Sequence, residues 1–364
     1  MSGFFCVSLT MLLMTLSVSI VIPNWNGREL LADYFGSVVA AAAEFRARHD
    51  AEVEVIVVDD ASTDDSRDWV RANYGNHAVV RLIELENNVG FLRAVNRGFQ
   101  EAKNDVVFLL NNDVKAEIGC IAPLLPHFAD NYVFAVCCHA GRIDSDRLDG
   151  GGKLGSFERG FWRVFLNYDV LKSDEYSELI SFFGSGGYTA YDRKKLEQIG
   201  GFQDCLAPIY WEDVEICYRA WKRGWKVIYE PDSRVAHKGS ATMGKRARRP
   251  EMAIITERNR LLMTWINLHD KRMFASHLGR LTLKLIGSLI SFRWSYLRSF
   301  GRALGNLSKV KQARSIEQKA AVITDRELHE KFAELRQQPG IYVLENEDAE
   351  IAFEELKKKS KDQA

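Results

Sequence analysis

Ser17-Val18-Ser19-Ile20-Val21-Ile22-Pro23-Asn24-Trp25-Asn26-Gly27 is the stretch on which the fold turns. Its first half is β-branched or apolar with small polar interruptions, and Pro23 leads into turn-forming residues. Such a run reads as a buried strand that stops at a turn. Four similar runs follow: VEVIVVD (53–59), VVRLIEL (79–85), DVVFLL (105–110) and YVFAVCC (132–138). Helical stretches lie between them, near 28–48, 66–74, 91–102 and 117–128. Near-continuous apolar strands alternating with helices predict an α/β fold, with a mainly parallel sheet flanked by helices on both faces.

In such sheets a ligand sits beyond the carboxyl ends of the strands. The first strand ends in Pro23-Asn24-Trp25-Asn26-Gly27 and the second in Asp59-Asp60-Ala61-Ser62. Asn87-Asn88-Val89-Gly90-Phe91 follows the third, and Asn111-Asn112-Asp113 ends the fourth. Any one of these is an ordinary surface turn, but four on one sheet edge argue for a binding crevice. No GxGxxG follows the first strand and no GxxxxGK[ST] occurs anywhere. Dinucleotide and P-loop readings therefore lose their main signal.

The 364 residues are 46% hydrophobic and 27% charged, a globular composition. Lys plus Arg and Asp plus Glu both total 49, so the net charge is zero, which excludes a general nucleic-acid coat. The zero is a cancellation. Residues 1–270 sum to −6, residues 271–316 carry 10 basic side chains and no acidic one, and residues 317–364 sum to −4. Six cysteines form no CxxC, and reduced thiols packed as small hydrophobes are the expectation, in a cytoplasmic setting. Residues 1–16 have no basic n-region and are expected to be an apolar leader to a domain over 17–270.

Asp113 stands where a strand stops, so its carboxylate is expected in the crevice. Beside a diphosphate it needs a divalent cation between the charges, and Mg²⁺ or Mn²⁺ suits carboxylate and phosphate oxygen. As a lone acid it reads equally well as a helix N-cap before Ile118. Glu212 and Asp213 open a helical run to Arg223. They are expected on different sides of its first turn, one held by the helix N-terminus and one facing the crevice as a general base. Plain helix-dipole complementation is the competing reading. His237 follows a strand-like run, and Lys245-Arg246-Ala247-Arg248-Arg249 beyond it suggests either a solvated basic loop or one that closes on a diphosphate.

Seven motifs in order carry a resemblance: IVIPNWNG, VVDDASTD, NNVGFLRAVNRG, FLLNNDV, FFGSGGYTAYDRKKLEQIGGF, YWEDVEICYRAWKRGWKV and VAHKGSAT. From about Ser17 to Leu268 the chain resembles family 2 glycosyltransferases of GT-A fold, notably the rhamnosyltransferase-like branch of bacterial cell-surface polysaccharide synthesis. The resemblance implies a nucleotide-diphospho-sugar donor, of UDP or dTDP class, and transfer with inversion to a glycan or lipid-linked acceptor. It implies that Pro23, Asn24, Asn26, Asp59, Asp60, Asn88, Gly90, Phe91, Asn111 and Asn112 bind the nucleotide sugar. Gly186, Gly187 and Trp211 would floor the sugar and acceptor site. Asp213, beside Glu212, would be the catalytic base, and Asp113 with His237 would hold Mn²⁺ or Mg²⁺. NND stands in place of DxD, and the QxxRW motif of processive synthases is absent.

Residues 281–302 have helical periodicity. Lys284, Ser288, Ser291, Ser295, Arg298 and Arg302 mark one face, and Leu281, Leu285, Leu289, Phe292, Tyr296 and Phe300 another. A basic amphipathic helix reads as attachment to an anionic membrane surface, on the cytoplasmic face. A helix packed on the domain, or in a homo-oligomer interface, is the alternative. Residues 317–364 read as a helix with a disordered end. Two other functions compete: a nucleotidyltransferase, which wants a Gly-rich, Arg-containing loop after the first strand, and a non-catalytic sugar-nucleotide-binding scaffold.

Overall fold

The computed structural model describes residues 16–145, 147–239 and 249–362. The leader up to residue 15 and residues 245–248 of the basic loop lie outside these.

The five expected strands form as β1 (Val18–Asn24), β2 (Val53–Asp59), β3 (Val80–Glu84), β4 (Val106–Leu110) and, after the short β5 (Val114–Ala116), β6 (Val133–Arg142). β7 (Leu148–Gly150), β8 (Gly152–Glu158), β9 (Phe161–Asp169), β10 (Tyr188–Asp192), β11 (Lys226–His237) and β12 (Tyr342–Leu344) complete the set. The main sheet runs β3-β2-β1-β4-β10-β6-β11-β5, with β7 on β6, and β12-β9-β8 form a smaller sheet. β3, β2, β1 and β4 are parallel, so their carboxyl ends share one edge. Beyond β4 the sheet is mixed, because β10 lies antiparallel between β4 and β6.

The strands lack strong hydrophobic alternation because both faces are covered. Val21, Ile56, Val58, Val107 and Leu109 enter one core. Ile20, Ile22, Val55, Val57 and Phe108 enter the other. Successive side chains alternate between faces, so each strand feeds two cores.

Two helical expectations change. The 28–48 stretch reaches the helix Gly36–His49 through a π-helical turn at Leu31–Phe35. At 117–128 only a 3₁₀ segment, Ala122–Ala129, forms. Pro123 and Pro126 withhold the amide donors that an α-helix needs there. Val114–Ala116 is strand, so Asp113 is no helix cap.

After the helix Arg249–Asn267 come Lys271–Ile290, Trp294–Leu304, Leu307–Ala320, Asp325–Gln337 and Glu347–Asp362. The single helix expected over 281–302 is broken at Ser291–Arg293, where Phe292 takes a φ of 53°. Residues 317–362 carry helices and a strand that pack on the domain. The buried Asp325 carboxylate accepts from Tyr218 Oη (2.5 Å), Lys222 Nζ (2.7 Å) and the amides of His269 (2.7 Å) and Asp270 (2.6 Å). β12 also pairs with β9. Among the described residues no helix is long and apolar enough to cross a membrane. Five described cysteines are free and buried.

Candidate active site

The shared carboxyl edge of β1, β2 and β4 borders a cavity of about 450 Å³. Fourteen residues expected from sequence line it. Pro23 and Asn24 come from the end of β1, Asp60 follows β2, Asn88 and Gly90 precede the helix Phe91–Glu101, and Phe91 opens it. Asn111, Asn112 and Asp113 follow β4, Gly186 and Gly187 precede β10, Glu212 and Asp213 open the helix Glu212–Lys222, and His237 ends β11.

The loops after β1, β2 and β3 are held by their own polar groups. Asp60 accepts from the amides of Val89 (2.7 Å) and Gly90 (2.9 Å), and Asn88 Nδ2 donates to the Asp60 carbonyl (3.0 Å). Burial keeps the Asp60 pKa above its ordinary value despite those two donors. Asn112 Nδ2 donates to Asn24 Oδ1 (2.8 Å), which ties β4 to β1. Gly90 has φ 87° and ψ 159°, a conformation open essentially to glycine alone.

Three expected residues do not line the cavity. Asp59 faces away and accepts from Asn24 Nδ2 (2.9 Å), the Ser62 amide (2.9 Å) and hydroxyl (2.6 Å), and Arg67 Nε (2.5 Å). Asp59, the last residue of β2, spends its carboxylate on these donors, while Asp60, one residue further on, reaches the cavity. Asn26 uses Oδ1 to accept the Thr63 (2.6 Å) and Asp64 (3.1 Å) amides, which makes it scaffolding for the turn. Trp211 is turned into the protein against Phe165, with ring centroids 5.4 Å apart, and does not form a floor.

Asp113 and His237 meet because β11 pairs with β5 in the register His237↔Val114. His237 Nε2 lies 3.2 Å from Asp113 Oδ1, while Nδ1 lies 2.8 Å from Asp149 Oδ2. Asp149, on β7, was not expected from sequence. Burial opposes charge on the imidazole, but Asp113 and Asp149 outweigh it and lift the His237 pKa to about 10. Burial likewise opposes the Asp149 carboxylate, yet His237, Lys153 and Arg142 bring its pKa below the ordinary value. Asp113 Oδ1 is buried without a hydrogen bond of good geometry. A buried carboxylate oxygen 3.2 Å from an imidazole nitrogen, with the other ring nitrogen held by a second carboxylate, fits a divalent cation, which would take the place of the Nε2 proton. No group of three protein ligands forms among the described residues, so oxygens from a ligand or water would complete the shell.

The two carboxylates at 212–213 differ from expectation, since both face the cavity. Asp213 is the anchored one: Oδ1 accepts its neighbour Val214's amide (2.8 Å) and Oδ2 accepts the Gly186 amide (3.1 Å). Glu212 Oε2 is buried with no hydrogen-bond partner. Burial first, then the Asp213 charge, push Glu212 well above the ordinary glutamate range. Burial raises Asp213 too, against the pull of its two amides and Lys153. Asp213 is therefore the member of the pair that ionises more readily.

The turn before this helix is strained. Tyr210 (φ 74°) and Trp211 (φ 71°) are consecutive non-glycine residues in the left-handed region. Buried Asn259 holds the loop by donating from Nδ2 to the carbonyls of Leu206 (2.6 Å), Ile209 (2.9 Å) and Tyr210 (2.7 Å). In the sequence it stands among charged residues, Glu257-Arg258-Asn259-Arg260, so nothing there signalled it. Pro208, Ile209 and Met252 also line the cavity and carried no motif, and Tyr210, which opens the YWED motif, lines it without having been expected to.

Glycosyl transferase family 2 matches residues 19–200, half of the chain, and the chain belongs to that family. Over 196 residues it is 29% identical to the putative polypeptide N-acetylgalactosaminyltransferase 10 of Caenorhabditis briggsae, covering 50% of this chain and 31% of that protein. It is 27% identical over 195 residues to the human polypeptide N-acetylgalactosaminyltransferase 10, covering 50% and 32%. The chain thus spans less than half the length of these relatives. A GalNAc-T7 structure containing UDP, GalNAc and Mn²⁺ superposes with a TM-score of 0.63 at 19% identity, over 90% of this chain and 58% of that one. The mannosyltransferase PcManGT of Pyrobaculum calidifontis, with GDP-Man and Mn²⁺, gives 0.50 at 16% identity, over 88% and 85%. The fold is that of the GT-A glycosyltransferases, with a C-terminal helical extension.

Proposed function

We propose that this protein is an inverting, non-processive glycosyltransferase that moves a sugar from a nucleotide-diphospho-sugar to a hydroxyl of a glycan or lipid-linked acceptor. The observation that carries the proposal is one cavity holding both an amide-anchored carboxylate, Asp213, and the Asp113–His237 pair. Asn24, Asp60, Asn88 and Gly90 would enclose the nucleotide, with Gly186 and Gly187 beside the transferred sugar. As the acceptor oxygen bonds to the anomeric carbon, its proton passes to Asp213 and the nucleoside diphosphate departs from the opposite face. The Gly186 amide fixes the orientation of the Asp213 carboxylate, and burial, which raises Glu212 furthest, favours the charge on Asp213. Asp113 and His237 would hold Mn²⁺ or Mg²⁺, and Asp149 would fix the ring orientation of His237. Bound there, the cation supplies charge neutralisation for the leaving diphosphate.

Reaction at the cytoplasmic face of a membrane belongs to the same proposal: the free buried cysteines support the reducing compartment, and the 10 basic side chains of residues 271–316, with no acidic one, support the membrane face. The sequence motifs point to hexosyl or rhamnosyl transfer, and the curated relatives' names to N-acetylgalactosamine. The test is a donor screen with UDP-N-acetylhexosamines, UDP-hexoses and dTDP-rhamnose, each with Mn²⁺ or Mg²⁺, reading nucleoside diphosphate release. Metal-dependent release from one donor is expected. No release from any donor, with none binding the protein, would overturn the reading.

A further inference from the structure

A second cavity, of about 590 Å³, lies between the helices Arg249–Asn267, Lys271–Ile290 and Trp294–Leu304. The break at Ser291–Arg293 creates it by folding the polar face of the amphipathic segment inward. Lys284, Ser288, Ser291 and Ser295 then line a pocket instead of facing solvent along one helix. Arg280, Lys284 and Arg293 are its cations, and Glu257 is its one acid. Lys284 Nζ lies 3.9 Å from Glu257, while Arg280 and Arg293 form no ion pair among the described residues. The hydroxyl of Tyr296 is buried without a hydrogen-bond partner. Burial, then Glu257, raise its pKa to about 12, so it stays a donor. Burial lowers the Lys284 pKa, and Arg260 and Arg280 lower it further against Glu257. The cavity is a cationic pocket with an unused donor and too little negative charge of its own.

Large apolar side chains stand at its mouth. Leu283, which lines the cavity, is 62% exposed, and Ile290, Phe292 and Trp294 at the break are 74%, 72% and 59% exposed. A contiguous apolar group this exposed, bordering a cationic pocket, matches an amphiphile with an anionic head. We propose that this cavity binds the phosphate of an anionic lipid while the Ile290–Trp294 turn enters the bilayer interface. Arg280, Lys284, Arg293 and the Tyr296 hydroxyl hold the phosphate oxygens. The proposal deepens the membrane-face part of the reading above and is argued from this cavity, so its failure leaves the transfer chemistry untouched, and the converse holds.

The test is co-sedimentation of the full chain with phosphatidylcholine vesicles, with and without phosphatidylglycerol. Binding is expected only with the anionic lipid, and to weaken with salt. Arg280→Ala and Arg293→Ala should each weaken it on the order of fivefold, and Lys311→Ala, outside the cavity, should not. Without substituting any cavity residue, brominated phosphatidylglycerol should quench the intrinsic fluorescence, and Trp294→Phe should remove most of that quenching. Equal binding to neutral vesicles, equal losses on Lys311→Ala, or no quenching through Trp294 would overturn the proposal. So would tight binding of inorganic phosphate with no vesicle binding, or a stable dimer that Phe292→Ser dissociates.

Discussion

His237 Nδ1 stands 2.8 Å from Asp149 Oδ2, which leaves Nε2 turned towards Asp113. Asp149 reaches no further into the cavity and acts through the imidazole, as a carboxylate behind a metal-ligating histidine does. Asp149→Asn should weaken Mn²⁺ affinity about 10–100-fold, while His237→Ala and Asp113→Ala should each weaken it at least as much. Titration of the metal followed by calorimetry checks this, and an unchanged affinity in Asp149→Asn would remove its assigned role.

Glu212 supplies a pH signature in stability. Its pKa in the folded chain lies well above the ordinary value of 4.5, chiefly through burial. As pH rises past 4.5 the unfolded chain releases this proton while the folded chain keeps it. Folding therefore loses stability over that window, by up to about 1.4 kcal/mol per pH unit. Glu212→Gln removes the penalty. The variant should gain unfolding free energy relative to the parent as pH increases from 4 to 8. Denaturant unfolding across pH reads this directly, and a pH-independent difference would contradict the buried-acid account.

Gly90 lines the cavity in a conformation reserved for glycine, and a β-carbon there would lie 2.8 Å from Pro208 Cβ. Gly90→Ala should cost about 1–3 kcal/mol of stability or displace the Asn88–Phe91 loop. Because the Gly90 amide donates to Asp60, donor affinity should fall with it. Thermal unfolding and nucleotide binding, measured on the same preparation, check both effects.

The C-terminal extension is fastened at Asp325. Asp325→Ala leaves the Lys222 ammonium buried without its partner and orphans the Tyr218 hydroxyl. A loss of about 3–5 kcal/mol is expected. Asp325→Asn should be milder, since it keeps an acceptor. A loss below 1 kcal/mol for Asp325→Ala in urea unfolding would show that the extension is not coupled to the domain.

The parallel half of the sheet was legible because strands buried on both faces leave a distinctive apolar run. Polar residues after each run then marked the crevice edge, and Asn24, Asp60, Asn88 and Asp113 all reach it. What the pattern could not separate was cavity lining from turn scaffolding. Asn26 and Asp59 have the same chemistry as their neighbours but face the other way. Trp211 beside the acidic pair is rotated by a left-handed backbone that no residue type there announces. Asp149 and Asn259 were invisible for another reason. One sits on a three-residue strand brought in by pairing with β6, the other inside a helix, so only tertiary structure brings either one to the site. The break at Phe292 has no proline or glycine to signal it.

The central claim is that Asp213 takes the acceptor's proton. Its most direct test is Asp213→Asn, with donor binding and transfer measured side by side on the donor found by the screen. The account predicts donor affinity within about threefold of the parent and transfer reduced by roughly 10²–10⁴-fold. Transfer at the parental rate, with the donor bound normally, would contradict it.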